Sequence, residues 1–491
     1  MSRRGELARG SAVVSVITFL GHLLSTGLKL LISRSYGLIG FGQYALIMAF
    51  SRFFSTVVQL GYHQSIVYFI SKFRVTEDWT NARRFFVSGL RHIFATSILL
   101  LLAILVFQDI LIQYIHSDSG GVYTLMAISA VSAIIAVNNF LSGTLRSLKR
   151  FREQTLLFTS SFPLLMILAI LILKLLQADS SSIHQFIFLG ISLNLILLVV
   201  VFFLTRSLLS KKASGGSKVL SLRELPNYSM PIWASSALQS AARSSDRIML
   251  GFLSSISEVA IYGAGFTFSI LFAFPLKAMG PVFQPQIVEL YTQKDFEGIN
   301  KLYNTMVRWS ALFVIPAFSA LLCFGDQLIL IFGAGFSHAY EVMIVLSFAQ
   351  MVSTIAGLAG TLLNMTEKQG AHAKINAYGF IIAIALNLLL IPKYGALGAA
   401  LGTGMTLLIT NAFRVSKLMK YYQIRTDYTA ILWLLLKFLP LSVLTYWVVQ
   451  MDVLHWTLLM GIYSMIASML IYVSLLHNEK NRVKTFLRGI I

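Results

Sequence analysis

Stretches of about twenty apolar residues recur along the whole chain with short polar breaks between them, and they restrict the fold class more than any other feature. A hydrocarbon core about 30 Å thick is crossed by about 20 helical residues. The runs are too long, and lack the strict alternation, for barrel strands. About fourteen candidate spans lie near 11–32, 38–62, 85–108, 122–144, 155–177, 184–205, 229–252, 259–288, 309–332, 340–363, 371–391, 395–413, 429–450 and 454–476. Only 12% of the 491 residues are charged, about half the share of roughly 25% in soluble proteins, so no solvated surface can be coated. The expected fold is an all-α polytopic membrane protein, which sets aside soluble enzymes and nucleic-acid binders. The first run is too long for a signal-peptide core and is expected to remain as the first span. The single cysteine, Cys323, excludes an internal disulfide and a Cys-based metal site, and no metal or cofactor is expected.

The net charge of +20 is explained by topology. Alternate connections carry Lys72, Arg74, Arg83 and Arg84, then Arg146, Lys149, Arg150 and Arg152, then Arg206, Lys211, Lys212, Lys218 and Arg223. Later ones carry Lys294, Lys301, Arg308, Lys368, Lys374, Arg414, Lys417, Lys420 and Arg425, and both ends of the sequence are basic. Roughly 29 of the 39 Lys and Arg fall on this side, against about three (Arg34, Lys174, Lys393) on the other. Both termini are therefore expected in the cytoplasm, with the chain in the cell (inner) membrane. Nucleic acid is not needed to account for the charge.

An internal repeat at an offset of about 218 residues is read from matched segments in a shared order. Gly-Phe-Gly-Gln-Tyr44 pairs with Glu-Val-Ala-Ile-Tyr262, and Leu-Ser-Gly143-Thr-Leu-Arg with Leu-Ala-Gly360-Thr-Leu-Leu. The expected organisation is an N-lobe at 1–205 (six spans), a cytoplasmic linker at 206–226, and a C-lobe at 227–417 (six spans). Residues 418–491 would add two helices and a basic tail.

The first helix of each repeat carries a polar, cationic stripe. Ser11, Ser15, Thr18, His22, Ser25, Thr26, Lys29 and Ser33 share one face; Ser229, Trp233, Ser236, Ser240, Arg243 and Arg247 share the other. Span two adds Arg52, Ser55 and Gln59, and span eight adds Lys277. A charge at mid-membrane costs about 2.5–3.5 kcal/mol on the lenient insertion scale. Asp246 is the one clear embedded carboxylate, spaced to pair with Arg243. The interior is net cationic and points to a watery cavity for an anion. Serine stripes also serve as helix-packing faces, and Lys29 and Lys437 have snorkelling as their alternative.

The fourteen spans, the repeat, the stretch Arg243-Ser-Ser-Asp-Arg-Ile-Met-Leu-Gly-Phe-Leu-Ser-Ser-Ile-Ser-Glu-Val-Ala-Ile-Tyr262 and its counterpart Arg34-Ser-Tyr-Gly-Leu-Ile-Gly-Phe-Gly-Gln-Tyr44 resemble the polysaccharide-transporter (Wzx-type flippase) branch of the multidrug/oligosaccharidyl-lipid/polysaccharide superfamily. The resemblance implies two six-helix lobes forming a V and alternating access. It also implies a polyprenyl-pyrophosphate-linked oligosaccharide, such as an O-antigen or exopolysaccharide repeat unit, moved to the outer leaflet. A groove for the lipid tail beside spans thirteen and fourteen would bring in Lys437. On that reading Lys29, Arg52, Arg243, Arg247 and Lys277 bind the diphosphate, with Asp246, His22, Gln59, Trp233 and Tyr262 in support, the two aromatics stacking on sugars. A monomer is expected, meeting membrane lipids and a polysaccharide polymerase or glycosyltransferases. Coupling to a proton or sodium gradient or to the membrane potential stays open. The alternatives are a multidrug cation antiporter, which calls for more buried carboxylates, and a peptidoglycan-precursor flippase. A glycolipid polymerase would need a large outer loop with catalytic groups, and the outer loops are short.

Overall fold

The computed structural model describes residues 3–114, 121–176, 183–210, 225–424, 428–451 and 455–478. The linker core at 211–224 and the basic tail lie outside the described residues, as do the side chains of Ser11, Ser15 and Ser229. Every described regular element is a helix. Among the described residues nine helices are long and apolar enough to cross a membrane, or ten when the bent pair Ala339–Ile355 and Ala359–Met365 is taken as one span. The chain is a multi-pass membrane protein.

By packing, the chain divides into two compact units, Met1–Val259 and Ala260–Gly489. The first contains α1 (Arg3–Gln59), α2 (Tyr62–Val75), α3 (Trp79–Val106), α4 (Gln108–Tyr114) and α5 (Gly121–Ser147). It continues with α6 (Phe151–Thr155), a π-helical turn at Leu156–Ser160, α7 (Ser161–Leu175), α8 (Ile183–Ser210) and α9 (Leu225–Leu253). Its centre is α5, which touches α1, α2, α3 and α8. The second unit is formed by α10 (Ile256–Ser269), whose first turn still belongs to the first unit, α11 (Phe274–Thr292), α12 (Phe296–Leu330), α13 (Ala339–Ile355) and α14 (Ala359–Met365). It ends with α15 (Gln369–Tyr422), α16 (Tyr428–Gln450) and α17 (Trp456–Asn478). There α12 packs on α13, α16 and α17, and the Tyr463 hydroxyl of α17 donates to the Pro316 carbonyl at 3.0 Å.

Two of the longest helices are hairpins in disguise. Gly37 (φ 66°, ψ −165°) interrupts α1. Lys29 and Arg52 would stand about 35 Å apart on a straight helix, yet Lys29 lies within electrostatic reach of Arg52, so the chain reverses at Gly37. Gly395 (φ 53°, ψ −128°) does the same in α15, where Gly402 comes against the Asn387 side chain. Both positions need a left-handed φ that a Cβ disfavours.

The repeat also leaves a mark in local geometry that the sequence matching passed over. Glu77 and Lys294, 217 residues apart, share a left-handed conformation (φ 54° and 58°). Each precedes an aspartate that caps the next helix: Asp78 accepts the Asn81 amide at 3.1 Å, and Asp295 the Gly298 amide at 2.8 Å. Lys149 and Glu367, 218 apart, form a second such pair (φ 63° and 60°).

Candidate functional site

In the first unit α9 lies along the second half of α1, and the polar residues of its stripe divide between that seam and the open side. Ser240 donates to the Arg52 carbonyl at 3.3 Å, and the Gln64 amide donates to the Ser236 hydroxyl at 3.3 Å. Ser244 is buried. These serines act as a helix-packing face, the outcome expected of small hydroxyl residues where backbones approach closely. At the end of the seam a Cβ on Gly42 would overlap the carbonyl oxygen of Ile256, and one on Gly251 would press on Leu46. Gly42 belongs to the Gly-Phe-Gly-Gln-Tyr44 segment and Ile256 to the Arg243–Tyr262 stretch, so two segments picked out by their resemblance are in backbone contact.

The cations gather where the two halves of α1 meet α9. Lys29 lies within electrostatic reach of both Arg52 and Arg247, and Arg52 of Arg247 and Tyr44. Asp246 accepts the Arg247 amide at 2.8 Å and faces its guanidinium Nε at 3.8 Å, with side chains 8% and 13% exposed. The expected Asp246–Arg243 pair is not formed: Arg243 points to the open side and donates to Gln239 at 3.2 Å. Three cations against one carboxylate leave the cluster net positive. Such a cluster, with Arg forks that bond oxyanions bidentately, is suited to phosphate and unsuited to a cationic ligand.

The other residues singled out in the sequence are dispersed. Gln59 is 1% exposed and belongs to the packing of the unit. The Trp233 indole N–H is buried with no acceptor among the described residues. His22 is exposed, and its carbonyl accepts the Thr26 hydroxyl at 3.1 Å. Lys277, on α11, and Lys437, on α16, are exposed on the second unit. Tyr262 corrects the sugar-stacking expectation. It is fully buried in α10, its ring stacked on Phe266 at 6.1 Å and its hydroxyl donating to Thr403 at 3.4 Å, so no face is open to a ligand. Gln64, Gln239 and Tyr44 are the contributors that sequence reasoning missed; Gln239 stands one turn before Arg243, a spacing that was there to be read. Among the described residues no group of three His, Cys, Asp or Glu side chains is placed to hold a metal.

The family model described as polysaccharide biosynthesis protein matches residues 7–290, and a second, described as MatE, matches residues 231–389. The chain is 23% identical over 189 residues to the probable low-salt glycan biosynthesis flippase Agl15 of Haloferax volcanii, covering 38% of this chain and 40% of that protein. It is 28% identical over 200 residues to the capsular polysaccharide biosynthesis protein CapF of Staphylococcus aureus, covering 39% and 48%. The matches thus span less than half the length of these curated relatives. Among solved structures, that of the lipid II flippase MurJ in an inward closed conformation superposes with a TM-score of 0.71 at 15% identity, covering 94% of this chain and 99% of that one. At that identity the likeness is one of fold.

Proposed function

We infer the activity from two facts: the chain belongs to the polysaccharide biosynthesis protein family, and its first unit gathers cations almost without carboxylates. It is a flippase of the multidrug/oligosaccharidyl-lipid/polysaccharide superfamily. Its substrate is a polyprenyl-diphosphate-linked oligosaccharide, which it carries from the cytoplasmic to the outer leaflet by alternating access. The cluster of Lys29, Arg52 and Arg247 carries this reading. A lipid diphosphate is the part of such a substrate that cannot enter hydrocarbon unaided, and charge-assisted bonds from Arg and Lys are the means of holding it. Asp246 orients Arg247 and offsets part of the repulsion among the three cations. The isoprenoid tail stays in lipid, and exposed polar groups along α9, Gln239 and Arg243 among them, meet the glycan.

The same reading has fourteen spans with both termini in the cytoplasm. The hairpins in α1 and α15 each count as two, α13 with α14 as one, and the more polar α9 and the shorter α17 as one each. A peptidoglycan precursor carries the same diphosphate, and the fold likeness to a lipid II flippase makes it the second candidate.

The test is reconstitution of the full chain in vesicles with a short-chain polyprenyl-diphosphate oligosaccharide and, in parallel, lipid II. Each lost charge-assisted bond is worth about 1.5–3 kcal/mol, so Arg52→Ala and Arg247→Ala should each lower transport by about 10- to 100-fold at normal membrane abundance. Arg247→Lys should fail to restore it, since the planar fork is gone. Variants that insert normally and transport like wild type would refute the site.

A further inference from the structure

In the second unit a string of polar side chains ties together three helical segments that no part of the transport site uses. Arg414, near the end of α15, donates to the Asn411 side-chain oxygen at 2.8 Å and to that of Asn376 at 2.9 Å. The Asn411 amide donates to the Ser353 hydroxyl at 2.8 Å, and the Asn376 amide lies 3.2 Å from His372 Nε2. Ser353 is two residues before the end of α13. The His372 ring lies against Gly360 of α14, where an added Cβ would come 2.6 Å from Cε1. The string therefore straddles the 40° bend between α13 and α14 and fastens both sides of it to the α15 hairpin.

The donors and acceptors can be assigned in only one way. Arg has donors only, so the Asn376 atom facing it must be the oxygen. The Asn376 atom facing His372 is then the NH2 group, again a donor, and Nε2 must present a lone pair. The string closes only around a neutral imidazole with its proton on Nδ1, a nitrogen that is buried without a partner among the described residues. A second proton on the ring would set N–H against N–H at Asn376. It would also place a second cation near Arg414, the charge that His372 feels. Glu367, in the turn before α15, is the nearest carboxylate in sequence, and the charged group that acts on the ring is Arg414. α14 has no titratable side chain, and α13 carries Tyr340 and Glu341 at its far end. On α15 itself the neighbouring charges are Lys374 and, across the hairpin, Arg414 and Lys417.

We propose that the His372–Asn376–Arg414–Asn411–Ser353 string is a proton-operated clasp on the α13–α14 bend, closed when His372 is neutral and opened when a proton binds there. The proposal names a proton as ligand of a site apart from the diphosphate cluster. It rests on reading the chain as a transporter only for its use, because the clasp itself can be tested without substrate. The N–H against N–H mismatch at Asn376 and the nearby Arg414 charge both oppose the second proton, so the clasp stays closed near neutrality and opens on acidification.

The test uses the purified full chain with Cys323→Ala and a reporter cysteine at Leu358, in the bend. Maleimide labelling, divided by that of the same protein carrying His372→Gln, corrects for the thiol's own pH dependence. The expected ratio stays near one at about pH 8 and rises about tenfold by about pH 5. Asn376→Leu should label rapidly at both pH values. Hydrogen exchange of the 356–365 peptide in the otherwise native chain, corrected for intrinsic rate, should rise over the same interval and covers the case in which a variant folds poorly. A ratio flat from pH 8 to 5, or exchange independent of pH, overturns the clasp whether or not the protein flips a glycolipid.

Discussion

Gly42 of α1 abuts the first turn of α10 and Gly251 of α9 abuts Leu46 of α1, yet adding a methyl group to each should have different results. At Gly42 the new Cβ overlaps the Ile256 carbonyl oxygen and lies 2.7 Å from its Cγ2 and 3.1 Å from its carbonyl carbon. The obstacle is backbone, so the first turn of α10 must move. At Gly251 the new Cβ meets Leu46 Cδ1 at 2.5 Å and Cδ2 at 3.4 Å, the tip of a side chain that can change rotamer. Overpacking against fixed atoms costs about 1–3 kcal/mol, and alanine in place of glycine in a helix recovers about 1 kcal/mol at either position. Gly42→Ala should therefore be destabilised by up to about 2 kcal/mol, while Gly251→Ala, where Leu46 can turn away, should be stabilised by about 1 kcal/mol. The difference, about 1–3 kcal/mol, is the secure quantity, because the helix preference cancels in it. At about 2–4 °C per kcal/mol, the apparent Tm of Gly42→Ala in detergent should lie about 2–12 °C below that of Gly251→Ala. Equal Tm values, or the reverse order, would refute the claim that α1 meets the α10 backbone at Gly42.

Three further outcomes follow from the structure. Tyr262→Phe removes a long 3.4 Å hydrogen bond to Thr403 and should transport like wild type, whereas Tyr262→Ala should cost about 3–5 kcal/mol and lower abundance; loss of transport in the Phe variant at normal abundance would restore a ligand role for the hydroxyl. Asp78→Ala and Asp295→Ala each remove a side-chain cap and should destabilise by about 0.5–2 kcal/mol, and a thermal shift in one but not the other would break the equivalence of the two turns. A cysteine at Ser255, between α9 and α10, should react with an impermeant maleimide in intact cells while one at Lys149 is shielded; the opposite pattern would invert the topology.

What the sequence disclosed of this fold, and what it concealed, has a physical pattern. Long apolar runs act one residue at a time, through transfer energy, and so survive in the linear sequence. The glycine reversals in α1 and α15 are local as well, and the short connections between candidate spans already implied them. The helical wheel placed Lys29, Arg52 and Arg247 on polar faces, but a wheel knows nothing of the neighbouring helix. It left Ser236 and Ser240 open between a cavity and a packing face, and Gln64 and the Arg52 carbonyl are what hold them against neighbouring helices. It paired Asp246 with Arg243 by spacing, although Asp246 accepts its own neighbour's amide and Arg243 turns to Gln239. Tyr262 was misjudged for the same reason, since burial against Phe266 and Thr403 depends on a residue 141 positions away. The clasp around His372 shows the limit most clearly. Its two local pairs, His372 with Asn376 and Asn411 with Arg414, stand one helical turn apart, but the links that join them to each other and to Ser353 span 38 and 58 residues. Their one constraint is a chain of donors and acceptors that must agree in direction, and it can be read only once the α15 hairpin has brought residues 376 and 414 together.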